Sequence, residues 1–203
     1  MGCSIEKDLI DKTIAFHGHS CPGLVIGIRA AELALKKLGY AEGKDLVAVV
    51  ETDMCGVDAI QFITGCTFGK GNLIHKDYGK MAFSFYNRSE DIGFRVLLRP
   101  DISGGLGSEL RSLMRKVEDG TANEEDHARL KNLRGELQER YMNVDLEEMF
   151  IVTEPSFPVP RPTRILQSLR CEACGEMTME SRTRRFGGKT FCLPCFEKVE
   201  QKT

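Results

Sequence analysis

The sequence has no tryptophan, and aromatic residues make up only 7% of its 203 positions. A surface that reads bases by stacking needs several aromatic faces, so this chain is poorly supplied for one. No apolar run approaches the roughly 20 residues that cross a bilayer as a helix, and no membrane span is expected. An excess of one charge is also missing: 28 Lys and Arg stand against 30 Asp and Glu, a net charge of −2. That balance argues against an electrostatic footprint for nucleic acid over the whole chain. The opening Met1-Gly-Cys-Ser-Ile-Glu-Lys-Asp lacks the apolar stretch of a secretory signal. Its acidic, helix-like continuation also argues against lipidation at Gly2. Proline is sparse, seven in all, yet Pro155, Pro158, Pro160 and Pro162 fall close together.

Cysteine, by contrast, is plentiful, with eight residues. Without a secretory signal these read as metal ligands or reactive thiols in a reducing cytoplasm, the expected compartment. Two disulfides in a small secreted module are the less favoured alternative. Cys171-Glu-Ala-Cys174 and Cys192-Leu-Pro-Cys195 form two CxxC pairs. Each pair turns tightly enough to set both sulfurs on one ion, about 2.3 Å from it. Gly187-Gly188 between the pairs marks a hairpin turn, and residues 196–202 are helix-like. A knuckle, a hairpin and a second pair opening a helix is the order of a treble clef. Cys171, Cys174, Cys192 and Cys195 are therefore expected to hold one structural Zn²⁺ with no position free. Arg161, Arg164, Arg170, Arg182, Arg184, Arg185 and Lys189 cluster on the preceding segment and the hairpin. They read as a solvated face or dimer contact, or else as a contact for nucleic acid or protein.

Upstream of the finger, apolar spacing predicts helices over 5–16, 22–38, 57–64, 107–118 and 123–141. Strands are predicted over 46–51, 80–87, 93–98 and 148–153, the middle two paired, with a glycine-rich loop over 65–72. Arg29, Glu32, Lys36 and Lys37 mark the wetter side of the second helix. Few strands, two of them consecutive, favour an α+β fold: helices on a small mixed or antiparallel sheet. The expected divisions are a core over 1–154, a stiff proline linker over 155–168 and a finger over 169–203. The second helix is apolar over more of its girth than one small sheet covers, which predicts a homodimer.

Polar chemistry in the core gathers in two places. In His17-Gly-His19-Ser-Cys21-Pro-Gly, three ligand-capable side chains lie within five residues. Cys21 stands just before a helix, where the helix dipole and free N–H groups favour thiolate. Cys55 has the same placement after a strand, and Asp58 is positioned to hold an imidazole by its second nitrogen. His17, His19, Cys21 and Cys55 are the candidate ligands of a second metal, expected to be Zn²⁺. His19 reads as a third ligand or as a proton shuttle. Cys66 reads as a nearby thiol or as a small buried hydrophobe. The loop Gly65-Cys-Thr-Phe-Gly-Lys70-Gly-Asn72 misses the phosphate-loop spacing and has no following helix, which excludes nucleotide binding on that basis. Lys70 and Asn72 are still expected to orient an anionic or carbonyl ligand. His17, Cys21, Cys55 and Lys70 are the candidate catalytic residues. A reversible Cys21–Cys55 disulfide is the redox alternative.

These motifs occur in order. Phe16-His-Gly-His-Ser-Cys-Pro-Gly23 heads a helix, Cys55 follows with Asp58-Ala-Ile-Gln61, and then comes Thr64-Gly-Cys-Thr-Phe-Gly-Lys-Gly-Asn72. Gly79-Lys-Met-Ala-Phe and Arg88 continue the pattern. Over about residues 5–150 the chain resembles the E-subunit (FmdE/FwdE-like) family of formylmethanofuran dehydrogenase. The resemblance implies an α+β core, often dimeric, sometimes with an added C-terminal treble-clef finger. It implies association with an oxidoreductase that fixes CO₂ as a formyl group using molybdenum or tungsten, and so partner subunits of a formyl-transfer or dehydrogenase complex. The residues themselves show no molybdopterin site. The expected role is a zinc-binding accessory protein, with a zinc-finger binding or regulatory module, or a thiol–disulfide protein, as alternatives.

Overall fold

The structure is a computed structural model that describes residues 2–39 and 45–199. The chain divides into two units, residues 1–162 and 163–203.

The first unit opens with α1 (Lys7–His17) and α2 (Pro22–Leu38). Cys21 is extended and Pro22 occupies the first turn of α2, where a missing N–H costs nothing. Strand β1 (Leu46–Val50) leads through a turn to α3 (Gly56–Thr64), then β2 (Leu73–His75), β3 (Ala82–Asn87) and β4 (Ile92–Leu98). Helices α4 (Gly105–Glu118), α5 (Glu124–Asn143) and the single turn α6 (Leu146–Met149) precede β5 (Phe150–Thr153). Helix α5 starts on a reciprocal cap: the Asn123 side chain accepts from the Asp126 N–H, and Asp126 accepts from the Asn123 N–H. The sheet runs β2-β1-β3-β4-β5, with β1 and β2 parallel and the other neighbours antiparallel. This is the α+β architecture with a small mixed sheet expected from the sequence. Strand β2 begins just past the loop expected over 65–72 and was not predicted, because three residues are too few for alternation to show.

Alternation sets the two sheet faces. Leu46, Ala48, Val50, Phe83, Phe85, Phe94 and Val96 pack in one core with residues of α2 and α5. Val47, Val49 and Tyr86 face the other way and meet Ile74 and Val159. The proline segment therefore covers part of the second face. Its carbonyls accept from the Tyr86 hydroxyl (Phe157 O, 3.2 Å) and from Arg88 Nε (Pro160 O, 2.7 Å). The run read as a linker over 155–168 thus belongs to the core unit as far as Pro162.

A second difference concerns α2. Arg29 and Glu32, expected on its wet side, are fully buried, with Arg29 Nη1 2.8 Å from Glu32 Oε2. Glu32 Oε1 also accepts from the Ser4 N–H, the Ser4 hydroxyl and Lys36. Arg29 donates to the Val144 carbonyl. A buried ion pair is costly unless its remaining hydrogen bonds are met. Here the N-terminal segment and the residue after α5 meet part of them, while the buried Arg29 Nε has no hydrogen-bond partner among the described residues. Among the described residues no helix is long and apolar enough to cross a membrane.

In the second unit, β6 (Ser168–Arg170) pairs with β7 (Met177–Met179), and β8 (Thr183–Phe186) pairs with β9 (Lys189–Cys192). Gly187 and Gly188 both take positive φ, 56° and 80°, as the tight turn matching strand twist requires. The helix expected over 196–202 is one turn, α7 (Leu193–Phe196); residues 200–202 lie outside the described residues.

Candidate functional site

Among the described residues two groups of four ligand side chains occur, one in each unit. In the finger, Cys171, Cys174, Cys192 and Cys195 place their sulfurs within 4.8 Å of one another. Cys171 follows β6, Cys192 ends β9, and Cys195 lies on α7. The Cys192 N–H donates to Cys171 Sγ at 3.3 Å. Backbone N–H groups of Cys174 and Cys192 pull the Cys171 thiol down to about 6, while the sulfurs of Cys192 and Cys174 push Cys195 up to about 12. Four thiolates so close need a cation to ionise together, and the S₄ set suits Zn²⁺.

The core group is built from the ends of three helices. His17 closes α1, Cys21 caps the start of α2, and Cys55 caps the start of α3. The ligand atoms of His17, His19, Cys21 and Cys55 lie within 4.8 Å of one another. The two thiols meet because α2 and α3 cross on glycine. A Cβ at Gly27 would sit 2.1 Å from the Gly56 carbonyl oxygen, and one at Gly23 would sit 3.3 Å from Cys55 Cβ. At Gly27 only a residue without a side chain permits that approach, and at Gly23 a side chain would fit tightly. Cys21 Sγ accepts from the Leu24 N–H at 3.3 Å. His17 Nδ1 lies 2.7 Å from Asp58 Oδ2, while its Nε2 faces Cys21 Sγ at 3.9 Å. The carboxylate keeps the proton on Nδ1 and leaves the Nε2 lone pair facing the thiols, the arrangement of a metal-ligating imidazole. Gln61 Nε2 donates to the other Asp58 oxygen at 3.4 Å.

Other expectations need correction. A helix start was expected to depress the Cys55 thiol; burial and the neighbouring Cys21 instead push it up. Lys70 is exposed, with Nζ 3.6 Å from the position of a Cβ on Gly65, at the C-terminal end of α3. Cys55 caps the other end, about 15 Å away at 1.5 Å per residue. Lys70 is therefore not brought to the His/Cys group. Asn72 is buried, and its amide binds the Leu46 carbonyl and the Thr67 N–H, both at 2.9 Å. It braces the loop rather than orienting a ligand. Cys66 is buried in the main core and donates to the Leu46 carbonyl, and burial raises its thiol. The sequence reading missed the glycine crossing. Its visible signal was Gly23 and Gly27, four apart on one face of α2.

Comparison with known proteins agrees with this division. Residues 16–151 match the family described as FmdE, molybdenum formylmethanofuran dehydrogenase operon. Residues 164–201 match the prokaryotic dksA/traR C4-type zinc finger. A curated relative from Archaeoglobus fulgidus, described as a probable S-adenosyl-L-methionine-binding protein, is 33% identical over 190 residues. The match covers 89% of this chain, but the chain spans only 50% of that relative's length. The crystal structure of a tungsten formylmethanofuran dehydrogenase FmdE-like protein from Syntrophus aciditrophicus superposes with a TM-score of 0.62 at 26% identity. That match covers 94% of this chain and 91% of the other. With the family match spanning most of the core unit, the chain belongs to the FmdE family and carries a C4-type zinc finger after its core.

Proposed function

We propose that this chain is a zinc-binding accessory protein of a cytoplasmic oxidoreductase system of the formyl-transfer or dehydrogenase type. Its working centre lies in the core, and the finger's zinc is structural. The observation that carries this reading is the convergence of His17, His19, Cys21 and Cys55, with Asp58 fixing the His17 ring. Two imidazoles and two thiols form a donor set suited to Zn²⁺. When bound there, the ion supplies a Lewis acid or a soft anchor for a ligand. His17, Cys21 and Cys55 hold it, and Asp58 sets the His17 tautomer. Proposed partners are a second copy of the chain and the other proteins of the system it serves. S-adenosyl-L-methionine binding, named for the archaeal relative, is not carried over, since half of that protein lies outside the match.

Elemental analysis of anaerobically purified protein tests this. Two ions per chain are expected. One ion, lost with Cys192→Ser and not with Cys21→Ser, would leave only the finger and sink the reading.

A second reading, a nucleic-acid or protein-binding module led by the finger, rests on the exposure of Arg170, Arg182, Arg184, Arg185 and Lys189. It predicts binding that weakens steeply with salt and is lost when Arg182, Arg184 and Arg185 become Ala.

A further inference from the structure

The four core ligands are not held alike. His17 is fixed through Nδ1 by Asp58. Cys21 is fixed by the Leu24 N–H. Cys55 is wedged against the bare backbone of Gly23. All three are half-buried, whereas His19 is exposed. Its ring lies 4.5 Å from that of His17, and it makes no hydrogen bond among the described residues. An imidazole that ligates a metal ordinarily has its other ring nitrogen held by an acceptor. His19 has no such support, and it sits on a short connection between α1 and α2.

The immediate surroundings of the centre are also unusual. Phe16, the neighbour of His17, is 55% exposed and stacks on Phe62 with ring centres 5.3 Å apart. Met54, the neighbour of Cys55, is likewise 55% exposed. Two exposed apolar side chains are thus the sequence neighbours of two of the fixed ligands. Two thiolates on one ion make it soft and electron-rich, which favours a sulfur donor over water or carboxylate in the remaining position.

Resting on the metal reading above, we propose that His19 is an exchangeable ligand. It gives way to a small thiol whose apolar body packs beside Phe16 and Met54. The exchange is a ligand substitution: the incoming thiol loses its proton to the displaced imidazole or to solvent, and no electrons are transferred.

Cadmium-113 NMR on the full-length protein tests this without any activity assay, because S₄ and mixed N/S sites resonate apart. The wild type is expected to show two resonances. His19→Ala is expected to keep both metals and move only the core resonance. His17→Ala is expected to lose the core metal. Benzyl mercaptan, whose thiol is about as acidic as that of 2-mercaptoethanol, is expected when added to the wild type to shift the core resonance further downfield, saturating about tenfold more tightly than 2-mercaptoethanol. A core metal lost as readily from His19→Ala as from His17→Ala would overturn the exchangeable role. A core resonance unmoved by either thiol, or a core metal stripped by them, would overturn the thiol assignment. Equal affinity for both thiols would overturn its apolar part. A single resonance in the wild type would overturn the metal reading itself, and this inference with it.

Discussion

In the finger, all four sulfurs come from one short stretch, Cys171 to Cys195, whose local turns alone bring them together. In the core, the ligand atoms come from the ends of α1, α2 and α3, and they meet only because the helices are packed first. The finger has little apolar interior of its own: Met177, Met179 and Phe186 are largely exposed, while Cys171 and Cys192 are buried. The core group sits on a fold with extensive apolar packing around Leu24, Ile28, Ala31, Ala59 and Ile63. The contrast predicts that a metal builds the finger, whereas the core builds its own site.

The largest test of that contrast is metal removal. Chelation, or Cys192→Ser, should abolish protease resistance in residues 163–203 while leaving the core folded, because zinc binding supplies about 10–16 kcal/mol in such modules. Limited proteolysis followed by mass spectrometry checks this; equal digestion of both units would break the comparison. Next comes Gly27→Ala. Its Cβ would overlap the Gly56 carbonyl, so α2 and α3 must separate. A loss of about 3 kcal/mol in core stability is expected in urea unfolding, with weakened core metal binding and an unchanged finger.

A smaller effect is expected from Asp58→Asn. The amide removes the charge that holds His17, and core metal affinity should fall about 10–100-fold in competitive chelator titrations, with fold stability nearly intact. Smallest is a pH effect confined to the core. Glu51 accepts two bonds from Arg95, at 2.6 and 2.8 Å, which holds its carboxyl below the ordinary value of 4.5. Its contribution is therefore complete above that value and is lost as pH falls through the lower folded one. Glu51→Gln should remove about 1.5 kcal/mol of core stability at pH 7 and flatten the acid limb of the urea midpoint profile.

The finger was legible because its signal is local: two CxxC pairs and Gly187-Gly188 fix ligand spacing and turn type within a few residues. The long core helices were legible for the same reason, as the α2 bounds and the Asn123 cap show. The core site was half legible. Its ligand types stood out, but Lys70 was grouped with them because it shares a loop with Cys66 and Asn72. Sequence proximity does not reveal that α3 carries that loop to the far end from Cys55. Arg29 and Glu32 were misplaced because polarity alone does not show that Ser4 and Val144 close over them. Both errors concern long-range packing, which local propensity does not encode.

Cys21 accepts the Leu24 amide, so protein atoms alone close the first turn of α2. An ion entering the core displaces protons and leaves the backbone where it was. This sets a schedule of loading. If zinc builds the finger as predicted, the finger must acquire it while taking shape, and its filling is tied to synthesis of the chain. On the reading proposed above, the core would be filled, emptied and refilled long afterwards, in equilibrium with whatever pool of metal surrounds the finished protein.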